Sequence, residues 1–125
     1  MAQLIKLKTH SDLRGSLTVI ERVIPFLIKR VFFIYGVVDS VRGGHRHHLT
    51  EQAAICLRGR CRIHCDNGKD QADFLLDSPD KCLLIPHEDW HTMSDFTPDA
   101  ILLVLASTEY DIQDYIFTPY IHKAE

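Results

Sequence analysis

Four titratable side chains lie close together in the stretch VRGGHRHHLTEQ, residues 41–52: His45, His47, His48 and Glu51. An apolar run, AAICL, follows directly. Burying an imidazole or a carboxylate without a partner is costly, so these groups either face water or line a site that uses them. Because alternate side chains of a strand point to the same face, His45, His47 and Glu51 can share one face, with His48 on the other.

A further histidine, His91, follows a proline turn in the stretch IPHEDWH. Histidine is the side chain whose ordinary pKa lies close to neutral pH, so it serves as a general base or a proton shuttle. Three histidines at strand spacing, with a partner downstream, therefore favour a functional site over a set of unrelated surface residues.

The composition indicates one soluble globular domain covering residues 1–125, because 46% of the residues are hydrophobic and 25% are charged. The net charge of −3 argues against nucleic-acid binding. No apolar run approaches the ~20 residues of a membrane span, and the N-terminal stretch MAQLIKLKTH lacks the apolar core of a signal peptide. We therefore expect a cytoplasmic protein. No cysteine pair has the CxxC spacing of a zinc ribbon, and we expect buried thiols at Cys56, Cys61, Cys65 and Cys82.

Short β-branched and aromatic runs separated by turn residues dominate the chain, which predicts an all-β fold. In KRVFFIYGVV, the side chains of Val31, Phe33 and Tyr35 fall on one face of a predicted strand. Gly59 and the stretch DNGK, residues 66–69, predict two hairpin turns. EYDIQDYIF is the one segment that predicts a short helical turn. Roughly eight to eleven strands in so small a domain indicate a sandwich or barrel.

The spacing His-x-His-x3-Glu, followed about forty residues later by Pro-x4-His, resembles the two signature stretches of the cupin superfamily, which are small jelly-roll barrels. Glu88 stands where the second stretch usually has a glycine. In many cupins the four matching positions bind a divalent metal, and three imidazoles with a carboxylate suit iron, manganese, nickel or zinc. A metal-dependent cupin enzyme, such as a dioxygenase or an isomerase, is therefore one interpretation.

A closer resemblance extends from about Asp12 to Ile116. The stretches DLRGSLTVIE, IKRVFFIYGV, RGGHRHHLTEQAAICLRGRCRIHCDNG, LLIPHEDWHTMSDF and LLVLASTEYDIQDYI, in this order, resemble the nucleotide-sugar 3,4-ketoisomerases. These enzymes act on dTDP-4-keto-6-deoxyglucose and are similar in fold to the sugar 3,5-epimerases. Family members commonly have Arg-Gly-x-His-Ala-His-Lys at the histidine strand, whereas Arg46 replaces the alanine here and His48 replaces the lysine.

This resemblance implies a cupin jelly-roll barrel that works without a metal or other cofactor, as a homodimer that exchanges its N-terminal strand. LIKLKTH, followed by the turn at Asp12, fits such an exchanged arm. The implied partner is a dTDP-linked 4-keto-6-deoxy sugar. Moving its ketone from carbon 4 to carbon 3 requires a base at carbon 3, and an acid that moves protons between the two oxygens.

The resemblance also implies roles for individual residues. His47 is the preferred base, with His45 close behind, and Tyr35 or a second histidine is the acid. Arginines match phosphate oxygens with a planar fork of donors, and an aromatic side chain such as Trp90 or Phe33 suits the thymine ring. The predicted catalytic residues are His47, His45, Tyr35 and His91. The predicted substrate-binding residues are Arg14, Arg42, Glu51, Arg62 and Trp90, and no metal ligand is predicted.

The favoured hypothesis is an isomerase that converts dTDP-4-keto-6-deoxy-D-glucose to its 3-keto isomer for the synthesis of an amino-deoxysugar, as found in lipopolysaccharide or S-layer glycans. Arginine and histidine at the places of Arg14 and His91 imply a product of D-xylo, or galacto, configuration. The alternatives are a metal-dependent cupin enzyme and a sugar-sensing cupin module without catalysis.

Overall fold

The computed structural model describes residues 1–123. Within that part of the chain, twelve strands and one turn of 3-10 helix at Ile112–Asp114 account for the regular structure. The strands are β1 (Gln3–Lys6), β2 (Lys8–Asp12), β3 (Gly15–Val19), β4 (Arg30–Tyr35), β5 (Arg42–His47), β6 (Gln52–Arg58), β7 (Cys61–Asp66), β8 (Gln71–Leu76), β9 (Lys81–Ile85), β10 (Trp90–Ser94), β11 (Ile101–Ala106) and β12 (Tyr115–Ile116).

Two five-stranded antiparallel sheets face each other, with strand orders β1-β9-β6-β11-β4 and β12-β5-β10-β7-β8. The space between them is filled by one apolar cluster that draws on both sheets; it includes Ala54, Cys56, Ile63, Leu102 and Val104. Burying a side chain such as that of Ile63 contributes about 1.5–3 kcal/mol. This arrangement is the all-β jelly roll that the resemblance implied.

Strand β7 shows how the sequence pattern produces the two faces. Cys61, Ile63 and Cys65 are buried in the barrel, while Arg62 and His64 point outward. The prediction of buried thiols is therefore confirmed for these two cysteines, and Cys56 and Cys82 are buried as well.

The first sheet also carries apolar side chains on its outer face. Leu7, Ile55 and Leu105 form a second cluster there, and the loop side chains of Ile24 and Phe26 pack against it. Leu7 also explains why LIKLKTH is not one strand: its side chain is buried in this cluster, and the chain breaks into β1 and β2 around it.

The hairpin predicted at Gly59 is wrong. Strand β6 pairs with β9 and β11, and β7 pairs with β8 and β10, so the chain crosses between sheets at this turn. Gly59 has a φ of +68°, which favours glycine, and a Cβ there would crowd the side chains of Thr97 and Asp99 and lie 3.0 Å from the Cα of Ala100. The hairpin at residues 66–69 is confirmed, because β7 and β8 are antiparallel neighbours around it.

Strands β2 and β3 form a separate two-stranded sheet. All of β2 and the first part of β3 are exposed, as is Leu13 in the turn between them. The hairpin therefore stands apart from the barrel. Residues 1–123 include no helix that could span a membrane.

Candidate active site

Three histidines meet at one end of the second sheet. His45 and His91 are opposite each other on the paired strands β5 and β10. The ring of His45 lies 5.0 Å from that of His47 and 4.9 Å from that of His91, measured between centroids. His47 and His91 are buried, and His45 is half-buried. The expectation that His45 and His47 share a face, and that His91 joins them, is met by this geometry.

A glycine allows β5 to lie close to β10. The register between the two strands shifts at His91, opposite Gly43 and Gly44. Gly43 has a φ of +83°, and a Cβ on it would lie 2.9 Å from the carbonyl oxygen of His91. Gly43 therefore permits a backbone approach that a larger residue would block.

His47 is paired with a carboxylate. Its Nδ1 lies 2.9 Å from Oδ2 of Asp114, at the end of the 3-10 helix. Because an ionised carboxylate only accepts hydrogen bonds, Nδ1 carries the proton and Nε2 keeps its lone pair. Nε2 of His47 is buried and has no hydrogen-bond partner within residues 1–123. His47 is thus held in the tautomer that a general base needs.

Asp114 is itself held firmly. The Leu49 amide donates to Oδ1 at 2.8 Å, and the Thr50 hydroxyl donates to Oδ2. Burial raises the pKa of Asp114, but the hydrogen bonds from Thr50, Leu49 and His47 outweigh it and hold the pKa below its ordinary value. The carboxylate therefore stays ionised at neutral pH.

His91 presents its Nε2 in the same way. Its Nδ1 donates to the Asp89 carbonyl at 3.1 Å, and its Nε2 is buried without a partner among the described residues. Burial lowers the pKa of His91 to about 4. Burial, and then the proximity of His91, lower the pKa of His45 to about 4. Burial, and then His45, lower the pKa of His47, against the opposing effect of Asp114. The cluster is therefore neutral at pH 7 and able to accept protons.

An aromatic wall completes the cluster. The ring of Tyr115 lies 4.7 Å from that of His45 and 4.6 Å from that of His47. Phe117 stacks on Tyr115 at 5.8 Å. Tyr115 is on β12, where it pairs with His47, so the same short segment supplies both the carboxylate and the tyrosine.

Tyr35 does not join the cluster. Its side chain is 68% exposed and stacks on Phe33, on the face of β4 that points away from the barrel. The prediction that Tyr35 is catalytic is therefore not supported by its position in this chain. Alternation correctly grouped Val31, Phe33 and Tyr35, but this is the outer group.

Glu51 also lies apart from the histidines. Strand β5 ends at His47, and the chain turns before β6 begins at Gln52. The Glu51 carboxylate accepts a hydrogen bond from the His87 amide at 2.8 Å. The prediction that Glu51 shares a strand face with His45 and His47 is wrong, because the strand does not continue that far.

The remaining predicted binding residues are dispersed. Arg42 is exposed where β5 begins, and Arg14 is in the exposed β2–β3 turn, where its guanidinium binds Asp12. Arg62 points outward from β7 toward Asp95, at 3.2 Å. Trp90 alternates with His91 along β10 and so faces the other side of the sheet. Within one chain, none of these four is part of the histidine cluster.

Comparison with known proteins gives this geometry a context. A family model described as FdtA, WxcM-like, C-terminal matches residues 1–124. The TDP-4-oxo-6-deoxy-alpha-D-glucose-3,4-oxoisomerase of Aneurinibacillus thermoaerophilus is 42% identical over 129 residues, which cover 97% of this chain and 93% of that protein. The chain belongs to the FdtA family.

Solved structures of similar proteins support the same family and fold. The 3,4-ketoisomerase QdtA from Thermoanaerobacterium thermosaccharolyticum, in complex with TDP, is 42% identical, with a TM-score of 0.89 over 94% of this chain and 88% of that one. The TDP-fucose-3,4-ketoisomerase WlaRA from Campylobacter jejuni is 38% identical, with a TM-score of 0.87 over 94% and 89%. The RmlC epimerase of Mycobacterium tuberculosis, at 17% identity and a TM-score of 0.80, covers 91% of this chain and 66% of its own length and shares the fold. The resemblance to the sugar 3,4-ketoisomerases is confirmed.

Two residues of this FdtA-family site were missed from the sequence. Asp114 and Tyr115 lie in EYDIQDYIF, for which the sequence predicts only a helical turn. The turn is present at Ile112–Asp114, but its importance is that it delivers Asp114 to His47. The available signal was the family resemblance, since LLVLASTEYDIQDYI was one of the matching stretches.

The residues of this FdtA-family chain do not fit the metal site of other cupins. Glu51, which would be the carboxylate ligand, is bonded to the His87 amide instead. Nowhere in residues 1–123 do three or more histidine, cysteine, aspartate or glutamate side chains form a group suited to holding a metal ion.

Proposed function

We propose that this protein is a 3,4-ketoisomerase of TDP-4-keto-6-deoxy-D-glucose. The observation that carries the proposal is the buried His47, which is paired with Asp114 through Nδ1 and has a free Nε2. A neutral, oriented imidazole is what abstraction of a proton next to a ketone requires. The activities of the relatives support the substrate class, and one QdtA structure is a complex of a mutant with TDP-4-keto-6-deoxyglucose.

The reaction begins at carbon 3 of the sugar. His47 Nε2 takes the proton from carbon 3, and the electron pair of that C–H bond forms a double bond between carbons 3 and 4. The carbonyl π electrons move onto the oxygen of carbon 4, which gives an enediolate. Asp114 stabilises the imidazolium that forms on His47 by a charge-assisted hydrogen bond.

The second half reverses these events one carbon away. The hydroxyl of carbon 3 loses its proton and becomes the new ketone, while carbon 4 receives a proton and its oxygen ends as a hydroxyl. Tyr115 and His45 touch the base and each other, so they are suited to move a proton between the two oxygens. Tyr115 thus takes the role that the sequence assigned to Tyr35. No atoms are gained or lost overall.

The substrate's charge requires binding groups beyond the histidine cluster. Arg42 lies at the exposed start of β5, on the same strand as His45 and His47. Arg14 is on the projecting β2–β3 hairpin, with a side chain that is 90% exposed. A hairpin that projects from its own barrel is suited to packing on a second copy. We therefore retain the homodimer with an exchanged N-terminal arm as part of the proposal, with Arg14 and Arg42 binding the pyrophosphate.

The configuration at carbon 4 follows from which acid protonates that carbon. His91 is neutral, so it must first accept a proton on its free Nε2. His45, which lies beside both His47 and His91, can pass on the proton that His47 took from carbon 3, and His91 then delivers it to carbon 4. An arginine at this place could not accept and return a proton at neutral pH. With Arg14, His91 favours the axial, D-xylo product. Relatives at 38% identity include both a TDP-fucose and a TDP-quinovose 3,4-ketoisomerase, so identity alone does not select the product.

The experiment is to supply the purified protein with TDP-4-keto-6-deoxy-D-glucose, trap the product with a 3-aminotransferase, and assign carbon 4 by NMR coupling constants. We expect a 3-amino sugar with an axial hydroxyl at carbon 4. An equatorial hydroxyl would overturn the stereochemical assignment, and the absence of any 3-amino product would overturn the proposed function.

A further inference from the structure

Arg46 lies between the two histidines of β5, but its side chain points to the opposite face of the sheet. There it contacts Tyr120, in the segment that follows β12. Nη1 of Arg46 donates to the Tyr120 hydroxyl at 3.1 Å, and the guanidinium carbon lies 4.1 Å from the centre of the Tyr120 ring. Nε donates to the carbonyl of Thr118 at 3.4 Å. One arginine therefore binds the segment by stacking and through two of its hydrogen-bond donors.

Tyr120 is fixed from other sides as well. Its hydroxyl donates to the carbonyl of Glu88 at 2.8 Å, in the loop before β10. Its ring covers Gly68, where a Cβ would come within 3.0 Å of the ring carbon Cδ1. Two residues later, Nε2 of His122 lies 2.7 Å from Oδ2 of Asp66. The segment of residues 118–122, which we call the C-terminal strap, is thus attached to the loops at the ends of β7 and β10.

The strap continues directly from the residues that complete the active site. Strand β12 has only two residues, and they pair with the strand that holds the base: Tyr115 with His47, and Ile116 with Arg46. So short an edge strand is restrained by few ladder hydrogen bonds. Fixing the chain immediately after it restrains Tyr115, and Asp114 before it, against the histidines.

We propose that Arg46 is a positioning residue that, through Tyr120 and the C-terminal strap, holds Asp114 against His47 and Tyr115 against His45. Arg46 itself lies on the far face of β5 and does not touch the substrate. The effect of Arg46 on turnover rests on the proposed function, whereas its effect on the pair His47–Asp114 does not.

The inference is specific to chains that carry an arginine at this place. The resemblance to the ketoisomerases implies an alanine between the two histidines, and an alanine side chain cannot reach Tyr120. An Arg46→Ala protein should therefore fold, because the backbone of β5 accepts alanine at this place in the family pattern. The contact between Arg46 and Tyr120 is therefore a feature of this sequence that the common ketoisomerase pattern lacks.

The first test needs no substrate. Six titratable or charged groups surround His47. They are His45 on β5, His91 on β10, His87 in the loop before β10, Arg30 on β4, Asp114 at the end of the 3-10 helix and Tyr115 on β12. Of these, only Asp114 and Tyr115 belong to the segment that the strap restrains. Asp114 raises the pKa of His47, so loosening it should lower that pKa. We expect Arg46→Ala to lower the pKa of His47 by about half a unit, measured by NMR of histidine-labelled protein.

The second test is kinetic. Displacing a catalytic group slightly can cost up to about a hundredfold in rate, so we expect Arg46→Ala to lower kcat about tenfold, with little change in KM. The acidic limb of the pH profile should move to lower pH, together with the pKa of His47. Arg46→Lys keeps the charge but not the planar stacking, and should restore part of the loss. Tyr120→Phe keeps the ring and removes the hydroxyl bonds, and should show part of the same effect.

Arg58→Ala is the matched control, because Arg58 is also a strand arginine, at the end of β6 in the first sheet. It forms an exposed ion pair, with its Nε 3.6 Å from Oδ2 of Asp99 in the turn before β11. Arg58→Ala should leave kcat and the pKa of His47 unchanged. If Arg46→Ala lowers only the melting temperature, or leaves both the pKa of His47 and kcat unchanged, the positioning role is overturned. If the wild-type protein lacks ketoisomerase activity, the proposed function fails, and the NMR measurement alone decides the positioning role.

Discussion

Nδ1 of His47 lies 2.9 Å from Oδ2 of Asp114, although the two residues are 67 positions apart in the chain. Strand β12 brings them together by pairing with the end of β5. The bond fixes the proton of His47 on Nδ1 and leaves Nε2 free, and it supplies the negative charge that an imidazolium needs. The pair is therefore the basis of the proton-transfer chemistry proposed here.

Replacing Asp114 with asparagine should reduce kcat by about two to four orders of magnitude, because the neutral amide neither holds the tautomer nor stabilises the imidazolium. The acidic limb of kcat/KM should also move to lower pH, since Asp114 raises the pKa of His47. Steady-state kinetics from acidic to neutral pH measure both effects.

Asp111→Asn is the control for this variant. Asp111 caps the 3-10 helix by accepting from the Gln113 amide at 3.0 Å, and asparagine caps equally well. A comparable loss of activity in Asp111→Asn would mean that the segment is sensitive to substitution in general, and that the carboxylate of Asp114 has no special role.

Tyr115→Phe should lower kcat by about tenfold to a thousandfold with little effect on the affinity for TDP, because it removes the phenolic proton and keeps the ring. Tyr35→Phe makes the same chemical change on the outer face of β4, and it should leave kcat close to that of the wild type. Kinetics of both variants with one substrate preparation decide between the two tyrosines. A large loss in Tyr35→Phe alone would restore the assignment made from the sequence.

Stability should fall as the solution becomes acidic. In the folded protein the pKa values of His45 and His91 are lowered to about 4, whereas an unfolded histidine titrates near ~6.5. Below about pH 6.5 the unfolded chain therefore binds protons that the folded chain does not, and the free energy of unfolding decreases until about pH 4. Urea unfolding at about pH 7.5 and about pH 5 should show this decrease.

Replacing His91 with asparagine should reduce the difference between the two pH values, because one of the titrating groups is gone. Equal unfolding free energies of the wild-type protein at both pH values would contradict the assignment of neutral, buried histidines.

Treatment with a strong chelator should leave turnover unchanged. The basis is the position of Glu51, whose carboxylate binds the His87 amide and not a shared site with His45, His47 and His91. The assay is product formation before and after chelation, followed by addition of single divalent ions. Loss of activity that one added ion restores would favour the metal-dependent cupin over the proposed mechanism.

Local patterns in the sequence predicted the positions of the strands well, but they predicted less well which strands pair with one another. Alternation placed His45 and His47 on one face correctly, because a strand's period of two holds wherever the strand continues. It failed at Glu51, where the chain turns after His47. At Gly59 the turn was located correctly, but a local signal does not say whether the next strand returns to the same sheet or crosses to the other one.

Which residues make up the site depends on contacts between distant parts of the chain. The family spacing brought His91 to His45, but nothing near His47 in the sequence points to Asp114. For Tyr35, the sequence correctly predicted its strand and the residues that share its face. It did not show whether that face of β4 points into the barrel or outward. Which face of β4 is buried depends on how β11 and the second sheet pack against it, and that is a property of the whole barrel.

The most direct test of the central claim is proton exchange at carbon 3. Wild-type protein and His47→Asn should be incubated with TDP-4-keto-6-deoxy-D-glucose in D₂O and followed by NMR. If His47 is the base, the wild type forms the 3-keto isomer with solvent deuterium at carbon 4 and exchanges the proton at carbon 3 of recovered substrate. His47→Asn should do both about two to four orders of magnitude more slowly while still binding TDP. Exchange at the wild-type rate in His47→Asn would contradict the account.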